Sequence, residues 1–535
     1  MTVMRIHILV VLVSLSLPGV GHGQGRPPMT KTDGPWFGLS LPPRMSTEAA
    51  VRVGERAPRP VVLPAREPAS PELMGTALKA DVDTIVNFAK QSRATKEMGS
   101  DQMWGRVSGF PSEIQTVDWA VREFRRAGIA DVKVQPITQD ARSALWMPLS
   151  WEVRLLADPA FGPGSADVVL DSALPLSPSD IPGGSLTAPL VYVGTASPSI
   201  VEHVDVKGKI AVQLVVPQGH MLFERGVVDS RSEELVKRGA VGVFNLVRLP
   251  GNERSRDFSD CGNPCFNIGG RDGHFLEQVM DLAAGKGLSN KLQARITLKT
   301  ETRAGLKADN GVAVIPGRRD DEVIVLNAHV DGWFDGAGDN ADGLAVLMAL
   351  ARHFAKPENK PERTIALVAS AGHHTPGING PRSFLLANPE LAKKAVMLVN
   401  IEHVAQRNFS PARTTASDGY REAVADSGEA PIAVGVTNNS PFLQGVIDDG
   451  PSRYGVNFIS ERSTFQSGEA GGWSTLNVAK VCVMQAPPLY HTTGEVFDVI
   501  STPGLERIAR FLAHFVKETG KASAVQINPR PTNPK

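Results

Sequence analysis

The chain has 535 residues, 42% hydrophobic and 21% charged, with Lys+Arg and Asp+Glu both at 56 and a formal net charge of zero. That length exceeds one ordinary core and implies two or three folded units. The even charge gives no support for binding nucleic acid or an anionic membrane surface.

At the N-terminus, Arg5 precedes an apolar run from Ile8 to Leu17, then Pro18 and the small-residue stretch Gly19 to Gly23. A positive start, a short apolar run and small residues at a cleavage site predict a secretory signal over residues 1–23. The run is too short for a membrane span, so the expected location is secreted or periplasmic. Residues 24–75 are rich in Pro, Arg and Gly and are expected to form an extended arm.

Regular structure is predicted from residue 76. Ala80 to Lys90 has helical spacing. So does Ser112 to Ala127, whose Ile114, Val117, Ala120, Val121 and Phe124 share one face, with Ser112 and Gln115 as a capping box and Gly128 as the stop. A strand pattern follows at Val132 to Pro136, and this first α/β part is taken as residues 76–163.

From residue 164 to 306 the pattern changes to short β-type runs separated by turns, with one helical stretch at Ser232 to Arg238. Val206-Lys-Gly-Lys-Ile210, the GAVGVF run from Gly239 to Phe244, and PCFNIGG near Pro264 resemble a protease-associated domain, an insert that shapes access to an active site. Three cysteines exclude a disulfide scaffold, although Cys261 and Cys265, four apart, would permit one small bridge in an oxidising compartment. Cys482, in an apolar run, is expected to be a buried packing residue.

Alternation of β and α elements then resumes over residues 307–520, ahead of a tail at 521–535. Strands are predicted at Val323 to His329, Arg363 to Ala369, Ala395 to Glu402 and Val478 to Gln485. Helices are predicted at Gly343 to Phe354, Gly380 to Leu386, Pro441 to Asp448 and Pro503 to Thr519. Near-continuous apolar strands between amphipathic helices specify an α/β class: a mixed, mostly parallel sheet sandwiched by helices.

The residues with chemistry fall at the ends of those strands, where such sheets gather ligands. His329 ends a strand, and Asp331 is placed to fix its ring. Asp339 opens the next helix from a Gly-rich loop, where its two carboxylate oxygens could serve two metal ions. Alone, Asp339 would read as a helix cap and His329 as a buried histidine; together they favour a metal site.

The spacing H-x-D-x7-D-N-x-x-G from His329 to Gly343 resembles the di-zinc aminopeptidase family, which includes bacterial leucine aminopeptidases, glutamate carboxypeptidase, glutaminyl cyclase and the non-catalytic transferrin receptor. The resemblance covers roughly Thr76 to Thr519. It implies the zinc aminopeptidase fold with an inserted β-rich protease-associated domain, and one or two zinc ions on His329, Asp339, His374, Glu402 and His491. Relatives carry Glu-Glu, a general base followed by a metal ligand, where this chain has His373 and His374. His374 remains a good zinc ligand but removes one negative charge, and His373 takes the position of the base.

Asp331, His373 and Tyr490 are therefore the expected catalytic residues. Tyr490 would either donate its hydroxyl to a developing oxyanion or simply pack. Glu469 reads as an exposed loop carboxylate, with capture of a free amino group as the alternative, and His353 as solvated. The function implied is a secreted zinc-dependent hydrolase of aminopeptidase type acting on a peptide or small amide. Two alternatives stay open: an inactive binding protein on the same fold, or a one-metal amidohydrolase or cyclase. No phosphate loop, dinucleotide fingerprint or serine elbow competes.

Overall fold

The structure, a computed structural model, describes residues 34–42, 44, 52–54, 56–216, 231–257, 261–413, 420–438, 440–461, 468–485, 487 and 489–529. The expected signal at residues 1–23 lies outside them, as do parts of the arm and the last six residues of the tail.

Two eight-stranded sheets organise the chain. The first is built from β1 (Asp131–Thr138), β2 (Lys307–Ile315), β3 (Arg319–His329), β4 (Arg363–Ser370), β5 (Ala395–Glu402), β6 (Ile432–Val436), β7 (Phe458–Glu461) and β8 (Ala479–Gln485). Their order is β7-β6-β8-β5-β3-β4-β2-β1. The centre, β8, β5, β3 and β4, is parallel, while β2 and β6 join it antiparallel. Every residue of β4, β5 and β8 is buried, as expected for strands covered on both faces.

Alternation sorts the side chains into two layers. Ile324, Leu326 and Ala328 of β3 join the core formed with α1 (Gly75–Thr95), α2 (Pro111–Arg126), α3 (Asp342–Phe354) and α5 (Thr502–Lys521). Val323 and Val325 face the opposite layer, where α4 (Gly380–Ala387) contributes Phe384 beside Trp473. Helices therefore cover both faces, as the apolar patterning predicts. No helix of the described residues is long and apolar enough to cross a membrane.

The capping box expected for α2 does not form. Phe110 is the cap residue and makes no side-chain bond, while the Ser112 hydroxyl, already inside the helix, donates to the Gly105 carbonyl at 2.8 Å. Pro111 at the first position, with no N–H to satisfy, starts the helix instead.

The second sheet is drawn from residues 145–303 and includes Leu145–Leu155, which lies ahead of residue 164. That strand pairs along its length with Gln293–Arg303. Trp36, from the N-terminal arm, is fully buried in the core of this sheet, stacked on Phe161 at 5.1 Å. Cys261 and Cys265 are free thiols, not a bridge; Cys482 is buried in β8, as expected.

Candidate metal centre

The carboxyl ends of β3, β4 and β5 and the turn after β8 converge on Asp339. Its loop is held rigidly. Arg106, fully buried, donates to the carbonyls of Val330, Asp335 and Gly336 at 3.2, 2.8 and 3.0 Å. Gly336 allows the turn with φ +51, and a Cβ there would lie 2.4 Å from the Asp339 carbonyl. The Asp342 carboxylate accepts from the N–H groups of Val404 and Ala405 at 3.0 and 2.7 Å, joining this loop to the end of β5.

Around the Asp339 carboxylate stand four imidazoles. His329 Nε2 lies 3.3 Å and His403 Nε2 2.8 Å from Oδ1, while His374 and His491 Nε2 each lie 2.9 Å from Oδ2. Asp339, His329 and His403 are fully buried. His329 Nε2, His374 Nε2, His491 Nε2 and Asp339 Oδ2 meet no hydrogen-bond partner. Buried polar atoms are rarely left so, and four of them aimed at one another fit divalent metal ions. The atoms fall into groups whose members lie within 4.8 Å: His329, Asp339 and His403; Asp339, His374 and His491; and His329, His373 and His374.

Glu402, predicted as a ligand, is in none of these groups. Its Oε1 accepts from Asn400 Nδ2 at 2.6 Å and from the Glu469 N–H at 2.7 Å, while its Oε2 is buried without a partner, like the four atoms above. Asp331, predicted to orient His329 through its carboxylate, does so chiefly through its backbone carbonyl, which accepts from Nδ1 at 2.9 Å; its nearer carboxylate oxygen is 3.5 Å away. That carboxylate instead accepts from the Ser108 hydroxyl at 3.1 Å and from the His374 N–H at 2.9 Å.

His373 turns to Glu469, with Nδ1 to Oε2 at 3.0 Å, and the other Glu469 oxygen accepts from the Ser370 hydroxyl at 2.9 Å. Glu469 is buried, not exposed on a loop as predicted, and is committed to this pair. The Tyr490 ring stacks on His491 at 3.6 Å and lies 4.9 Å from His403. His353, expected to be solvated, is half-buried and bonded to Glu72 at 2.8 Å.

A segment between two strands of the second sheet, at residues 255–257, reaches into the centre. Asp257 accepts from His491 Nδ1, Ser255 bridges Thr492, and the Arg256 guanidinium lies 3.8 Å over the Trp333 ring. Sequence reading missed His403, Glu469 as the partner of His373, and Asp257. Only for His403 was there a signal: a second metal-binding side chain directly after Glu402.

Burial pushes the His374 imidazole down to about 4, so it is neutral at pH 7. Burial also disfavours a proton on His491, but the charges of Asp257 and Asp339 outweigh it and lift His491 to about 10. In the metal-free protein His491 therefore carries a proton at neutral pH, and a metal must displace it. Zinc affinity is expected to rise by about tenfold per pH unit between pH 6 and 8, with release of at least one proton. Calorimetric titration in buffers of different ionisation enthalpy measures both; pH-independent affinity would refute the displacement.

Residues 310–516 match the model of peptidase family M28. Leucine aminopeptidase 2 of Arthroderma otae is 26% identical over 257 residues, 46% of this chain and 44% of that protein. The curated relatives matched are covered over only 8%, 44% and 27% of their own lengths. A peptidase M28 precursor from Shewanella amazonensis superposes with a TM-score of 0.60 at 18% identity, over 86% of this chain and 100% of that one. A zinc aminopeptidase from Bacillus subtilis gives 0.55 at 17% identity, over 85% and 98%. The fold is that of the zinc aminopeptidases, and residues 310–516 are of the M28 type.

Proposed function

With the M28-type architecture as premise, we propose that the chain is a zinc-dependent hydrolase of aminopeptidase type that cleaves an amide bond in a peptide or small amide. The observation that carries the reading is the convergence of four imidazoles on the Asp339 carboxylate, with three of their nitrogens and one carboxylate oxygen left without hydrogen bonds. His329, Asp339, His374 and His491 would hold the metal. Bound zinc supplies Lewis acidity, polarising a carbonyl and acidifying a coordinated water.

The chain's own residues supply the rest. Glu469 fixes the His373 ring, and His373 would move the proton to the leaving nitrogen. Burial holds the Tyr490 hydroxyl well above its usual range, so it stays protonated and able to donate to a developing oxyanion. Asp257 and the Asp331 carbonyl hold His491 and His329 in the tautomer that turns Nε2 inward. The second sheet, on the strength of the motifs from Val206 to Pro264, is read as a protease-associated insert. The N-terminal signal pattern supports export to the periplasm or medium.

One observation favours a second reading, a metal-binding protein without turnover. Burial disfavours a proton on His373, yet its bond to Glu469 and the charges of Glu402 and Asp331 raise it to about 10, making it a proton donor and a poor base. The two readings separate on one preparation: zinc-loaded protein, its metal counted, assayed against aminoacyl amides before and after chelation. The hydrolase reading expects bound zinc and turnover that chelator removes and zinc restores. Bound zinc with no turnover would leave the second reading, and no bound zinc would end both.

A further inference from the structure

We propose that His403, and not Glu402, is the protein ligand that completes the His329 side of the centre, so that each metal ion is held by two imidazoles and one oxygen of Asp339. This rests on the metal-binding reading above and departs from the carboxylate that the family pattern places at the end of β5.

The first support is geometric. Two ligand atoms on one tetrahedral zinc, with bonds of about 2.0–2.1 Å, are about 3.3 Å apart. His329 and His403 lie 3.3 and 2.8 Å from Asp339 Oδ1, and His374 and His491 both lie 2.9 Å from Oδ2. The two halves are thus matched: each offers two imidazole nitrogens to one carboxylate oxygen.

The second is hydrogen-bond logic. His403 Nδ1 faces the Gln485 carbonyl at 3.3 Å, and a carbonyl can only accept, so Nδ1 carries the proton. Nε2 of the neutral ring then turns its lone pair toward a carboxylate oxygen 2.8 Å away. That pair repels unless the ring takes a second proton, donated to Asp339 Oδ1, or a cation stands in that proton's place. His329 shows the same arrangement, Nδ1 on the Asp331 carbonyl and Nε2 toward Oδ1.

Third, the backbone presents His403 and withholds Glu402. Successive strand residues point to opposite faces, so only one of the two would ordinarily reach the centre. His403 leaves β5 at φ +48, a left-handed conformation that is unfavourable for a non-glycine residue. Its N–H is held by Asn340 Oδ1 at 3.1 Å, from the residue after Asp339. Glu402 meanwhile commits Oε1 to Asn400 and the Glu469 N–H, and its Oε2, buried without a partner, lies against the loop at Gly468, where a Cβ would come within 2.0 Å of it.

Elemental analysis of zinc-loaded protein, freed of excess metal, tests this. Two ions per chain are expected for the unaltered protein and for Glu402→Gln, and one for His403→Ala and His403→Asn. The lost ion should bind more than about a hundredfold more weakly, beyond the 10–100-fold typical of a residue that only orients a ligand. Circular dichroism checks that the variants fold. If they do not, X-ray absorption on the unaltered zinc protein still decides, with an average of two imidazoles per zinc expected against one and a half for His329, His374 and His491 alone. Full metal content in folded His403 variants, or loss of an ion in Glu402→Gln, would overturn the assignment. Unaltered protein that binds no zinc would remove the metal reading itself, a different failure.

Discussion

Asp339→Ala is expected to take the zinc content of the chain to zero and hydrolysis below detection, a loss on the order of 10⁴-fold or more. Its carboxylate is the one group that both halves share, with Oδ1 facing His329 and His403 and Oδ2 facing His374 and His491. It also carries the negative charge that would offset bound dications among neutral rings. Burial alone would push this carboxyl up, but His374 and His491 hold it well below the usual carboxylate range, so it is ionised at neutral pH. Removing it leaves two pairs of imidazoles with no common anion, and metals held by two neutral nitrogens dissociate readily. Elemental analysis and an aminoacyl amide assay read the two effects; a variant that kept one ion would show that the halves are independent.

His373→Ala is expected to leave the zinc content unchanged and lower kcat by about 10²–10⁴-fold, with little change in KM. His373 Nδ1 is taken up by Glu469, and the Ser370 hydroxyl fixes that carboxylate in turn, so the ring is oriented by its neighbours. Glu469→Gln should therefore act in the same direction but more weakly, by about 10–100-fold. Its amide can still accept from His373 Nδ1 but no longer supplies the charge that favours the imidazolium. Turnover that survives His373→Ala at full metal content would assign the proton to another group.

What the sequence disclosed follows from the range of each signal. Apolar runs and helix spacing are local, and β5 spans Ala395–Glu402 as its composition indicates. His329, Asp339, His373, His374 and His491 were visible because each ends a strand or opens a turn at the carboxyl edge of the sheet. The pairing of His373 with Glu469, across 96 positions, was invisible because it depends on how a later loop returns over β4 and β5. Glu469 looked exposed for the same reason. His403 was hidden by one dihedral angle: a strand continued regularly through residue 403 would have turned that ring away from Asp339. The second sheet's Leu145–Leu155 strand was missed because its partner, Gln293–Arg303, lies well over a hundred residues further along the chain.

The order of the strands also fixes a timetable for synthesis. The second sheet uses residues 145–303 alone, a contiguous stretch that can close while the rest of the chain is still being made. The first sheet cannot. β8, at Ala479–Gln485, lies between β5 and β6, and α5 packs over the same core only after residue 502. A nascent chain thus carries His329, Asp339, His374 and His403 without His491, and with Asp257 already waiting for it. Any zinc the growing chain picks up would sit in half a centre until β8 and the turn that bears His491 arrive.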